Sequence, residues 1–403
     1  MHERNAERIL DPRTQQQAVA RVHARGARRI RAGHPWVFRT DLLEPAQAPG
    51  GAVVRVVDET GNPLGRAFQA AGSRIALRML TRKDEPCDEA FFRARLERAI
   101  AFRKLLWPDG DAFRAVHGEA DGLPGLFVDR YGDALALQAT SEGADALTPL
   151  FARLLAELLA PRVIVAKNDT SARDFEGLVR HQAVLHGGPD ARALYHEGPN
   201  RFALDLLADL KTGAFLDQRE NHVHVAGYMP EGGTGLDAFS YHGGFALSLA
   251  TRASAVVAVE QDEEAAARIA ANAAANGRPV EAICGNSFDV LRKLEREGRR
   301  FDVVVIDPPA FTKRKGDVQA AERAYKELNL RGLKLVKPGG VLVSCSCSGK
   351  MTPQRFGAVL DAAIADVKRP VQQIERRGAA RDHPVLVGVP ETEYLKCWVY
   401  RVL

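Results

Sequence analysis

From Phe202 onward, short runs rich in valine and alanine alternate with helix-like stretches, and this alternation constrains the fold more than any other feature of the chain. Residues 235–239, 255–260, 280–284, 301–306 and 341–345 read as strands, and 245–250, 263–276 and 320–336 read as helices. Apolar strands separated by helices predict an α/β architecture, a parallel sheet covered on both faces. In such a sheet a ligand lies beyond the carboxyl ends of the strands, so the residues following each strand carry the functional information. Residues 385–389 and 394–403 read as a hairpin closing one edge.

The preceding half has a different pattern. Residues 1–17 form a polar leader. Residues 18–85 carry short apolar runs, among them Trp36-Val37-Phe38, broken by glycine and proline, which predicts a small β-rich domain. Residues 86–195 mix helical spacing with strands and read as a small α+β domain, leaving 196–403 to the parallel sheet. The Gly118–Gly125 loop offers Glu119 and Asp121 either to a substrate or to turn chemistry.

Composition narrows the functional classes. With 46% hydrophobic and 27% charged residues the chain reads as globular. No stretch approaches the ~18 apolar residues of a membrane span, and the charged start lacks a signal-peptide pattern, which points to a cytoplasmic protein. Five cysteines without a Cys-x-x-Cys pair argue against a disulfide framework and a cysteine zinc site, so no metal is expected. The net charge is +5, and Arg4, Arg8, Arg13, Arg21, Arg25, Arg28, Arg29 and Arg31 crowd the start, a nucleic-acid footprint or a solvated arginine-rich surface.

The strand ends suggest a cofactor. Asp237, Phe239, Ser240, Tyr241, Gly243 and Gly244 follow the first strand; the glycines let the backbone approach a ligand, and Asp237 suits an ammonium group. Glu260, followed by Gln261, ends the second strand, where a carboxylate can hold ribose hydroxyls. Asn286, Ser287 and Phe288 follow the third, an amide and a ring suited to adenine. A nicotinamide dehydrogenase would need Gly-x-Gly-x-x-Gly to hold a pyrophosphate, and Tyr241-His242-Gly243-Gly244-Phe245 does not fit. S-adenosylmethionine, with an adenosine and no pyrophosphate, fits better.

The fourth and fifth strands point to the acceptor. Asp307, Pro308, Pro309 and Phe311 follow one, an arrangement that either aims a carboxylate at a planar base or makes a sharp turn. Cys345 and Cys347 end the other. Carbon 5 of cytosine is methylated only after a thiolate adds at carbon 6, and Cys347, at the strand's exit, is the better candidate; Cys345 reads as core. A base-nitrogen acceptor needs no thiol and usually has an aromatic residue directly after the prolines, where Ala310 stands here.

Gly33–Phe38, Gly118–Gly125, Lys211–Asn221, Phe239–Phe245, Asp307–Phe311, Ser346–Gly349 and Asp382–Val385 together resemble the bacterial large-subunit ribosomal RNA cytosine-5 methyltransferase family. The resemblance covers nearly everything after Ala18. It implies an RNA-binding PUA domain at 18–85, a small α+β domain, and a Rossmann-like class I methyltransferase domain. It further implies Cys347 as nucleophile, Phe215, Gln218 and Arg219 in the cofactor pocket, and ribosomal RNA as partner, with a homodimer as a further candidate assembly. Asn286 stands where the family usually has Asp, and Glu260 where Asp is common. Two competing readings are a base-nitrogen RNA methyltransferase and a PUA-bearing RNA-binding protein without activity.

Overall fold

The computed structural model describes residues 7–311 and 318–403. The chain divides into two compact units: residues 1–195, 203–214 and 382–389 make the first, and 196–202, 215–381 and 390–403 the second. Arg4 lies outside the described residues.

The first unit contains two sheets. Six strands run in the order Trp36–Phe38, Ile75–Thr81, Pro63–Gln69, Val53–Val57, Val19–Val22, Leu42–Glu44. All neighbours are antiparallel except Val19–Val22 with Val53–Val57. Ala20, Val22, Val54, Val56, Ala67 and Leu77 fill the core of this β domain. Much of the arginine cluster is spent inside it. Arg25 and Arg29 pair with the buried Asp41, Arg31 with Asp58, and Arg21 with Glu44.

The central α+β region is a five-stranded sheet in the order His181–Gly187, Val163–Asn168, Ala134–Ala139, Leu126–Tyr131, Ala112–His117. Its long helix, Glu89–Leu106, starts where Asp88 accepts a hydrogen bond from the Phe91 N–H and buries Phe92, Leu96 and Ile100. Strands Ala112–His117 and His181–Gly187, and the two-stranded sheet of Arg192–Glu197 and Asn200–Asp205, have no distinct signal in the sequence pattern.

Glu119 and Asp121 have structural partners. Glu119 Oε1 accepts from Trp36 Nε1 and Arg78 Nη1, each at 2.8 Å, while Arg78 Nη2 reaches Glu176 at 2.9 Å. Asp121 accepts from the fully buried Arg103 at 2.7 Å. Burial works against the charge of Arg78, but the two glutamates outweigh it and raise its pKa.

The second unit carries the parallel sheet. Its strands are β1 (Thr234–Ala238), β2 (Ala255–Glu260), β3 (Val280–Cys284), β4 (Phe301–Ile306), β5 (Val336–Ser346), β6 (Val371–Arg377) and β7 (Lys396–Val402). They lie in the order β3-β2-β1-β4-β5-β7-β6, the first five parallel and β7 antiparallel to both β5 and β6. Helices α1 (Arg219–Ala226), α2 (Gly244–Leu249), α3 (Glu263–Ala275), α4 (Ser287–Arg296), α5 (Val318–Leu335) and α6 (Pro353–Val367) accompany them. One cluster around Leu236, Val304, Leu342, Leu328 and Phe356 and another around Val256, Val303, Val343, Phe245 and Ile269 form the two sides of the core.

The expected edge hairpin is not formed. The partner of β7 is β6, a run of Gln, Glu and Arg around Ile374 whose polarity hides it from a hydrophobicity pattern. Residues 385–389 contain no strand and belong to the first unit. There Asp382 accepts from the Arg114 N–H at 2.9 Å, and its carbonyl accepts from Arg103 Nη2 at 2.8 Å. Among the described residues no helix is long and apolar enough to cross a membrane.

Arg78→Ala leaves Glu119 and Glu176 without their shared cation. The expected cost is about 3 kcal/mol, measured by urea denaturation; a midpoint within error of wild type would show that the network contributes nothing.

Candidate active site

The site begins at the carboxyl end of β1, where the chain takes an unusual path. Phe239, Tyr241 and Gly243 all have positive φ, at 68°, 49° and 89°. For non-glycine residues this costs of order 1–3 kcal/mol each. The loop is held by the N–H groups of Phe239 and Ser240, which share the Val259 carbonyl at 3.0 Å, and by the Tyr241 N–H, which donates to Glu260 Oε2 at 2.8 Å. At Gly244 a Cβ would overlap the His222 ring, so that glycine makes room for an imidazole of the fold.

Asp237 is buried, accepting from Ser240 Oγ at 2.6 Å and the Ala246 N–H at 3.0 Å. Its other oxygen has no hydrogen-bond partner among the described residues. Burial pushes its pKa up to about 6, against the opposing effects of Ser240, His222 and the Ala246 N–H. At the end of β2, Glu260 accepts from three backbone N–H groups, those of Tyr241, Gln261 and Asp262. At the start of α4, Asn286 caps the helix by accepting from the Phe288 N–H at 3.0 Å and donates to Gln261 Oε1 at 3.2 Å. Ser287 is buried, and its hydroxyl has no hydrogen-bond partner among the described residues. The ring of Phe288 lies between those of Phe239 and Phe311, with centroids 6.5 Å and 6.3 Å away, and Phe311 meets Tyr325 edge-on at 5.1 Å.

The strand ends thus hold two buried, unpartnered oxygens, Asp237 Oδ1 and Ser287 Oγ, together with Glu260 and a group of rings. That donor set fits S-adenosylmethionine: a carboxylate suits its ammonium, an acid its ribose, and a hydroxyl and rings its adenine.

Asp307 follows β4. It accepts from Gln218 Nε2 at 3.0 Å; Gln218 Oε1 in turn accepts from Asn221 Nδ2 at 2.6 Å, and Asn221 Oδ1 from Arg377 Nε at 2.7 Å. Loss of hydration, then repulsion from Asp217, moves the Asp307 pKa up to about 7, with the Gln218 bond opposing. Phe215 meets Tyr241 edge-on at 4.9 Å, and Arg219 is buried on α1. The structure therefore brings Phe215 and Gln218 to the strand ends. Pro308 is buried and Pro309 exposed.

The two thiols of β5 differ in surroundings. Cys345 is fully buried opposite Cys397, and burial drives its pKa well above the ordinary thiol value. Cys347, one residue past the strand, is partly exposed. The β4–β5 register pairs Ile306 with Ser344, so Asp307 and Cys347 emerge at the carboxyl ends of neighbouring strands.

Sequence reasoning missed His222, whose Nδ1 lies 2.7 Å from Glu197 Oε2 in a buried pair. Burial opposes its charge, but Glu197, Asp237 and Asp307 outweigh it and raise its pKa. Its only signal was the nearby glycine pair. It also missed Lys396, a lone cation at the start of the apolar run Cys397–Tyr400. Among the described residues no group of three His, Cys, Asp or Glu side chains could hold a metal ion.

A parallel sheet of this strand order, with an antiparallel β7 and this set of groups at its carboxyl edge, defines an S-adenosylmethionine-dependent methyltransferase. Family models agree: one for S-adenosylmethionine-dependent methyltransferases matches residues 183–384, and one for PUA-like domains matches 20–82. The chain is 36% identical to "Ribosomal RNA large subunit methyltransferase I" of Cronobacter sakazakii over 92% of its own length and 96% of the relative's. It is 34% identical to the protein of that name from Alteromonas mediterranea, over 93% and 96%. A methyltransferase structure from Streptococcus mutans shares the fold at a TM-score of 0.81 and 19% identity, covering 96% of this chain and all of that one. The chain belongs to the family of ribosomal RNA large subunit methyltransferase I.

Asp237 and Asp307 bind protons more tightly folded than unfolded, where the ordinary value is 3.8. Their contribution to stability is therefore lost as pH rises from about 4 to about 7. Asp307→Asn removes part of that loss and should melt higher than wild type above pH 7, with a shallower decline across the window. A lower melting midpoint at every pH would refute it. Gly244→Ala should cost about 2 kcal/mol by overpacking against His222, read by thermal denaturation.

Proposed function

We propose that the chain methylates carbon 5 of a cytosine in large-subunit ribosomal RNA, using S-adenosylmethionine and the thiol of Cys347. The observation that carries this reading is the placement of a partly exposed cysteine beyond β5, on the strand next to the one that delivers Asp307. The names of the relatives support the substrate class. Phe215, Gln218, Arg219, Asp237, Phe239, Ser240, Tyr241, Gly243, Glu260, Gln261, Asn286, Ser287, Phe288 and Asp307 would hold the cofactor, which supplies its methyl as a sulfonium electrophile. Residues 18–85 serve as the RNA-binding PUA domain, 86–195 as the small α+β domain and 196–403 as the methyltransferase domain.

The residues divide the chemistry. Cys347 adds as thiolate to carbon 6, which makes carbon 5 nucleophilic. Asp307, which keeps a proton up to about pH 7, donates to the pyrimidine as the adduct forms. Pro308, Pro309 and Phe311 frame the base. With the new substituent on carbon 5, a base takes the carbon 5 proton, and the electron pair of that bond re-forms the 5,6 double bond as the bond between sulfur and carbon 6 breaks. The thiolate leaves, and the Asp307 carboxylate takes back the proton it gave the pyrimidine.

Unmodified ribosomal RNA incubated with the protein and methyl-labelled cofactor, then digested to nucleosides, should yield labelled 5-methylcytosine. A labelled purine instead would replace the reading with a base-nitrogen enzyme, and absence of cofactor binding by calorimetry would favour an RNA-binding protein without activity. Cys347→Ala should abolish turnover and retain cofactor binding, whereas Cys345→Ala should lower stability and retain turnover. Wild-type turnover in Cys347→Ala would exclude the thiol mechanism.

A further inference from the structure

The antiparallel register of β5 with β7 sets Lys396 directly opposite Ser346, the residue before Cys347. Lys396 is only 4% exposed. Its ammonium donates to the Ser348 carbonyl at 2.7 Å and the Tyr394 carbonyl at 2.8 Å, so it is tied to the backbone on the far side of Cys347 as well. An ammonium has three N–H donors, and among the described residues two are used.

A buried cation is costly unless an opposite charge accompanies it. Both hydrogen-bond acceptors of Lys396 are neutral carbonyls. Burial brings its pKa down to about 8, and the charges that resist this are Cys347 first and Glu393 second. Other groups bear on the same thiol: Tyr325 from α5 feels both Cys347 and Asp307, and Asp307 stands at the end of β4. An ionised Asp307 would oppose a thiolate, but its proton persists to about pH 7.

We propose that Lys396 is the counter-ion of Cys347, a positioning residue that favours the thiolate before RNA arrives and stabilises the same sulfur when it leaves the adduct. This rests on the reading of Cys347 as nucleophile. A cation beside a thiol lowers its pKa and so raises the reactive fraction near neutrality. It explains why a strand whose other buried residues are Cys, Trp, Val and Tyr begins with a buried lysine.

The test is alkylation of the full-length protein by iodoacetamide, without RNA, over a pH series, with Cys347 and the exposed Cys284 quantified separately by peptide mass spectrometry. Wild-type Cys347 should react with a midpoint below the ordinary thiol value of about 8.5. Lys396→Gln should raise that midpoint by about one unit, a roughly tenfold slower reaction near pH 7, and leave Cys284 unchanged. Lys396→Arg should restore most of the rate. Should Lys396→Gln melt far below wild type, Lys396→Met supplies the same comparison with the stem kept. An unchanged Cys347 midpoint in a folded charge-free variant overturns the proposal. The mechanism is judged separately: if Cys347→Ala turns over normally, the nucleophile reading falls, while the alkylation midpoints still decide whether Lys396 governs the thiol.

Discussion

Two carboxyl groups with raised pKa at the carboxyl ends of adjacent parallel strands, the buried Asp237 near the end of β1 and the half-buried Asp307 just after β4, set the terms for the rest of the catalytic unit. Each raises the pKa of a neighbour or of the other, and among the described residues neither has a lysine or arginine hydrogen-bonded to it. The surrounding architecture manages this tension with neutral donors: Ser240 and the Ala246 N–H for one, Gln218 for the other. His222, paired with Glu197, has its pKa raised by Glu197, Asp237 and Asp307 against the effect of burial. The small size of Gly244 follows from that imidazole, which a Cβ there would overlap.

The same logic explains why segments outside the sheet matter. Gln218 and Asn221 carry no charge, yet they link Asp307 to Arg377 through three hydrogen bonds. An arginine placed directly on Asp307 would ionise it fully; a relay of amides orients it and leaves its proton in reach of neutral pH.

Periodicity made the parallel sheet legible because β1, β2, β4 and β5 are buried on both faces and must be apolar. It failed at β6, an edge strand made mostly of Gln, Glu and Arg with a single central Ile374, and so the wrong partner was assigned to β7. The strand-end rule located Asp237, Glu260, Asn286 and Asp307. It could not locate Gln218, which came only from the family resemblance, or His222 and Lys396, whose importance arises from what β-strand register and helix packing place beside them. The sequence leaves Glu119 open between a substrate and turn chemistry, because its partners Trp36 and Arg78 lie 83 and 41 residues away in sequence, beyond the reach of a local pattern.

Those distant partners bear on how the PUA-like domain can be handled as a module. Cut from the chain at its strand boundaries, it would carry Trp36 and Arg78 away from Glu119 and Glu176 and expose an indole and a guanidinium that now share two carboxylates. A graft of this domain onto another enzyme would have to import the Gly118–Gly125 loop and Glu176 with it. The portable unit is therefore larger than the β domain.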